Sequence, residues 1–125
     1  MKKLIFLSLF VAFNSLASEC PVLTGTYHCS FSDNTYSPLK ITQEGTSELM
    51  TYSMTYTNFN YGADIVKASQ TGVVDELGWV TRCEKNKLLS VTTDGGAWGE
   101  IYLNQEKALV RTFNGVVVQS CPFYR

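Results

Sequence analysis

Polar and apolar residues alternate with a period of two along most of the chain after residue 24, and no stretch shows the 3.6-residue period of an amphipathic helix. Residues 24–31 set Tyr27, Cys29 and Phe31 against Thr26, His28 and Ser30. Residues 39–44 set Leu39 and Ile41 against Lys40, Thr42 and Glu44. The cleanest run, 50–57, places Met50, Tyr52, Met54 and Tyr56 opposite Thr51, Ser53, Thr55 and Thr57. Segments 32–38 and 58–62 read as polar loops, and 63–68 and 73–74 as strands, with a short helix within 58–78 as the alternative. From residue 79 the pattern becomes a meander, with strands at 79–84, 88–93, 98–104, 108–113 and 116–121. Turns fall at 85–87, 94–97, 105–106 and Asn114-Gly115, the last a dipeptide suited to a type I′ hairpin. The expected fold is all-β: an antiparallel up-and-down meander of about eight or nine strands, closed into a barrel that leaves no sheet edge exposed. A two-sheet sandwich is the alternative.

Loop lengths assign side chains to faces. A two-residue loop at Gln105-Glu106 places Glu100 opposite Arg111, Tyr102 opposite Leu109 and Trp98 opposite Phe113. One face then gathers Trp79, Cys83, Leu89, Val91, Trp98 and Tyr102 with Leu109, Phe113, Val116 and Val118, and this aromatic face is the expected interior. It carries Glu100 and Arg111 as a facing pair. Tyr52 and Tyr56 add to it from the earlier strand, so Glu100, Arg111, Trp98, Tyr102, Tyr52 and Tyr56 are the candidate ligand-binding residues. The alternative is a surface ion pair worth about 0.2–1 kcal/mol, with the aromatic side chains simply filling the core. Sidedness decides between them, because one residue miscounted in a loop turns the whole set to the other face.

The first residues belong to a different pattern. Lys2 and Lys3, the apolar run 4–13 and Ser15-Leu16-Ala17 form a secretory signal peptide with cleavage expected after Ala17. What remains, 18–125, suits one domain. Net charge is −1 for the whole chain, and losing Lys2 and Lys3 makes the mature domain more acidic. With no basic stripe, nucleic acid and anionic membrane surfaces are poor partners, and no second apolar segment is long enough to span a bilayer. Cys20, Cys29, Cys83 and Cys121 form an even set suited to two disulfides. The face assignment pairs Cys29 with Cys83, both inward, and Cys20 with Cys121 where the first and last strands of a barrel meet. His28 is the only histidine and no Cys-x-x-Cys occurs, so no metal or other cofactor is expected. Calcium at Asp94-Gly95-Gly96 and Glu100 competes with a plain hairpin turn, which explains the residues better. No catalytic motif is present, and the domain is read as a non-enzyme and a monomer.

Leu23-Thr24-Gly25-Thr26-Tyr27 resembles the Gly-x-Trp opening strand of calycins, the lipocalins and avidins, with Tyr in place of Trp. That resemblance implies an antiparallel barrel with a ligand-binding interior. Tyr27-His28-Cys29 with Cys121 also resembles the opening strand and terminal cysteine of periplasmic inhibitors of C-type lysozyme. This second resemblance implies a Cys29–Cys121 bridge instead, although the inhibitory Ser-Gly-x-x-Tyr loop of that family has no counterpart at a matching place. The functional expectation is an exported, periplasmic or secreted module that binds a small, partly apolar molecule. The alternatives are a protein-binding module such as an enzyme inhibitor, using the loops with Tyr36, Phe59 and Tyr61, and a structural envelope protein.

Overall fold

The computed structural model describes residues 19–31, 33–60 and 62–124; residues 1–17, the expected signal peptide, and Tyr61 lie outside the described residues. It is all-β, with ten antiparallel strands in two sheets and no helix among the described residues. The first sheet has the order β1 (Gly25–Ser30), β2 (Tyr36–Thr46), β3 (Leu49–Tyr56) and β4 (Asp64–Ala68). The second runs from β5 (Val73–Val74) through β6 (Trp79–Glu84), β7 (Lys87–Thr92) and β8 (Trp98–Leu103) to β9 (Leu109–Phe113) and β10 (Val116–Cys121). Within 58–78, Asp64–Ala68 and Val73–Val74 are strands, and there is no helix among the described residues.

Two seams join the sheets. On one side His28 N donates to Pro122 O at 2.7 Å and Tyr124 N to Thr26 O at 2.7 Å, around a Tyr27–Phe123 bridge. On the other, Cys83 N donates to Ser69 O at 2.8 Å beside a parallel Ser69–Arg82 bridge. The core lies between the sheets at this end, where Leu23, Tyr27, Leu39, Ile41, Tyr52 and Met54 bury against Leu88 and Leu109. Burying such side chains contributes about 1.5–3 kcal/mol each.

β2 begins earlier than the polar segment 32–38 suggests, and it includes Pro38. A proline inside a strand lacks one ladder donor. Here its carbonyl accepts from Thr57 N at 3.0 Å, just past the end of β3. N–H and C=O of one strand residue point the same way, so the missing donor also faces the end of β3. The ladder to β1, which pairs His28 with Pro38, loses nothing.

The disulfides are Cys20–Cys83 and Cys29–Cys121, with Cα separations of 4.8 and 4.6 Å. This corrects the pairing Cys29–Cys83 with Cys20–Cys121. The cause is a bulge in β10 between Val117 and Gln119. Without it Cys121 would face outward; with it Cys121 pairs with Leu109 on the inner face and reaches Cys29 on β1. Cys20 is held on the core side by the entering chain, whose Pro21 carbonyl accepts from Tyr52 Oη at 2.7 Å and whose Leu23 N donates to Gln43 Oε1 at 2.7 Å. Two disulfides fit a protein that folds in an oxidising compartment.

Candidate functional site

Two turns change the faces. The β8–β9 connection is a three-residue loop, in which Asn104 Oδ1 accepts from Glu106 N and Ala108 N at 2.9 and 3.0 Å. Lys107 sits at a positive φ of 69°. A type I turn followed by a left-handed residue adds one residue over the two-residue loop. The register becomes Ile101 opposite Arg111 and Glu100 opposite Thr112. The β6–β7 loop shortens to Lys85-Asn86, since Glu84 pairs with Lys87, so Cys83 faces Leu88 and not Leu89. Only Asn114-Gly115 keeps the expected geometry, with φ of 50° and 84° and Phe113 opposite Val116.

Glu100 and Arg111 therefore lie on opposite faces of the second sheet and do not pair. Glu100 faces outward, where Lys87 Nζ lies 2.5 Å from one carboxylate oxygen and Thr112 Oγ1 donates to the other at 3.0 Å. The Lys87 hydrogen bond holds its carboxyl below the usual range against partial burial, with help from Thr112 and the Lys87 charge. Tyr102 and Trp98 share this outer face, Trp98 being 38% exposed with its ring over Gly115. Tyr52 is fully buried in the core, its phenol pushed well above the ordinary value by burial and bonded to Pro21 O. Tyr56 is half-buried, packed on Phe31 and Phe59, and donates to Gln119 Oε1 at 3.3 Å. Of the six candidates, Arg111 is the one whose side chain lies on the open part of the inner face.

The inner face of the second sheet carries a hollow that the alternation pattern did not announce. One cross-strand row runs Val73, Thr81, Ser90, Gly99, Phe113, Val116 across β5 to β10. Its middle three residues are small, spaced nine apart in sequence, and its ends are apolar. Thr81 and Ser90 bond to each other through their hydroxyls at 2.8 Å, which spends the polarity of the floor. Gly99 holds the ladder close to β9, since a Cβ there would stand 2.9 Å from Thr112 O. Above this floor the first sheet contributes β4 from Asp64 to Lys67. The result is an open cleft of about 820 Å³. Trp79, Ile101, Val66 and Val118 join Val73 and Phe113 along its walls, and Asp64, Lys67, Asp75 and Glu76 border it. The volume falls in the range of small-molecule sites.

Arg111 stands in this lining with its hydrogen-bonding capacity almost unused. Its Nη2 donates to the Met54 thioether at 3.2 Å, a weak acceptor, and its buried Nε has no hydrogen-bond partner among the described residues. No carboxylate lies within 4.0 Å of it among the described residues, where the ion pairs are Arg82–Glu84 and Lys87–Glu100. A guanidinium is a planar donor fork suited to two-point recognition of an anion. Left half-buried without a counter-charge among the described residues, it is an anion-seeking group in a hollow of mixed apolar and polar lining.

Elsewhere, Asp94 accepts from Gly96 N and Thr92 Oγ1 at 2.8 and 2.7 Å, which holds its carboxyl low and closes a turn. Tyr36 and Phe59 sit in separate aromatic clusters: Phe59 packs on Phe31 and Tyr56, while His28 stacks between Tyr36 and Tyr124. Comparison with protein-family models, with characterised proteins and with solved structures gives no match.

Proposed function

We propose that the protein is an exported binding module, acting in the periplasm or after secretion, that holds a small organic anion with an apolar body in the inter-sheet cleft. The reading rests on one observation: Arg111, with no carboxylate within 4.0 Å among the described residues, lies in the lining of an open hollow that has both apolar and polar walls. The apolar body would lie on the Thr81–Ser90–Gly99 floor between Val73 and Phe113, and the anionic group would meet the guanidinium. Charge-assisted hydrogen bonds of this kind contribute about 1.5–3 kcal/mol. We read the two seamed sheets as a partly opened barrel, the form the calycin resemblance implies, with the cleft as its mouth.

Two dyes with one aromatic body test this. 1-Anilinonaphthalene-8-sulfonate carries a sulfonate; N-phenyl-1-naphthylamine does not. The expected outcome is that the sulfonate binds the native protein more tightly, and that Arg111→Met weakens it by roughly 10-fold or more while leaving the neutral dye within about threefold. Val73→Trp, at the exposed edge of the floor, should block both. Equal binding of the sulfonate to native protein and Arg111→Met would sink the reading.

A second reading, a protein-binding module such as a lysozyme inhibitor, draws on the Cys29–Cys121 bridge that its resemblance implies and on the exposed Tyr36 and Tyr124 flanking His28. Capture of a C-type lysozyme by native protein, lost in Tyr36→Ala/Tyr124→Ala, would support it; no capture would remove it.

A further inference from the structure

The two sheets have four edges, and three of them are managed. β1 is covered by residues 122–124 through backbone bonds. β4 leaves its edge open but places the exposed charges of Asp64 and Lys67 on it. β5 has only two residues and runs into Asp75 and Glu76. Short edges and edge charges are how sheets avoid pairing with other chains. β10 has neither. It ends its sheet, its backbone contact with β1 is confined to the C-terminal seam among the described residues, and no charged residue occurs from Thr112 to Tyr124. Val116, Val117 and Val118 are 64%, 57% and 63% exposed, and Phe113 and Trp98 beside them 47% and 38%.

We propose that this edge pairs with the β10 edge of a second copy, in an antiparallel, two-fold arrangement that joins the second sheets of both molecules. The open backbone donors and acceptors call for a strand, and the side chains say which strand. Three successive valines read the same in both directions, so an antiparallel copy sets valine against valine. A charge near the two-fold axis would approach its own copy, and residues 112–124 carry none. The bulge beside Val118 limits the new ladder to a few residues, so the dimer forms and dissociates with concentration. Val118 also lines the cleft, so the incoming strand would border its mouth.

Sedimentation velocity on the disulfide-intact protein over a concentration series tests this. The native protein should move from monomer towards doubled mass as concentration rises. Val117→Lys, an exposed change on the outer face of the strand, should stay monomeric throughout with an unchanged melting temperature. Ile65→Lys on the β4 edge should dimerise like the native chain. A native protein that is monomeric at every concentration overturns the proposal, as does a Val117→Lys variant that still dimerises. Co-sedimentation of native monomer with phosphatidylcholine/phosphatidylglycerol vesicles, without self-association, would also overturn it, assigning the valines to a lipid surface.

Discussion

Arg111 and Glu100 show how far single residues can be read from the chain. Both stand out as charges on an alternating, aromatic-rich meander, and Arg111 does lie at the candidate site. What the residues alone could not supply is a partner. Glu100 finds Lys87 across the β7–β8 ladder, and Arg111 finds a thioether from the other sheet. The two charges should therefore respond differently to substitution. Arg111→Met removes a half-buried charge with no counter-charge among the described residues, so thermal stability should hold or rise while anion binding falls. Glu100→Gln should leave binding unchanged, because the carboxylate lies on the far face. Its effect belongs to acid stability. A carboxyl whose folded pKa is lowered contributes stability that is complete above its unfolded value, about 4.3, and is lost as pH falls through the folded value. Native protein should lose stability faster than Glu100→Gln between about pH 5 and 3, read from urea unfolding at each pH.

Elements were legible where their own residues carry the information, and obscure where one extra residue decides. The alternating runs from Met50 to Tyr56 and through 79–121 correspond to β3 and β6–β10, and Asn114-Gly115 makes the hairpin its residues favour. The β8–β9 loop was misjudged because Lys107, a residue with no preference for positive φ, takes the left-handed position that closes a three-residue turn. The floor of the cleft was missed for a related reason. Thr81, Ser90 and Gly99 are unremarkable singly and become a row only in the correct register. Asn104 caps that turn with two backbone bonds, so Asn104→Ala should cost about 1–2 kcal/mol in denaturant unfolding. The bulge at Val118 has a sharper consequence. Val118 is the extra residue, so deleting it should give a regular ladder that keeps Gln119 opposite Arg111 and Cys121 opposite Leu109, and non-reducing peptide mapping should still find the Cys29–Cys121 bridge with no free thiol.

At the scale of the whole molecule, one end is fastened and the other is open. Both disulfides, the entering chain and the buried aromatic and aliphatic core occupy the fastened end, closing loops with sequence separations of 63 and 92 residues. Chain-entropy estimates give each bridge about 4 kcal/mol, so reduction should unfold the domain or lower its melting temperature by many degrees. At the open end the two sheets part over a floor of small side chains, and that is where Arg111 has no acid within 4.0 Å among the described residues. Ligand binding there should need little rearrangement of the fastened end. The most direct test is a map of backbone amide shifts as 1-anilinonaphthalene-8-sulfonate is titrated into isotopically labelled protein. Shifts confined to Thr81, Ser90, Gly99, Ile101 and Arg111, with the Arg111 side-chain Nε–H moving in step, are the predicted result. Shifts centred on Trp98 and Tyr102 of the outer face, or on His28, Tyr36 and Tyr124, would contradict it.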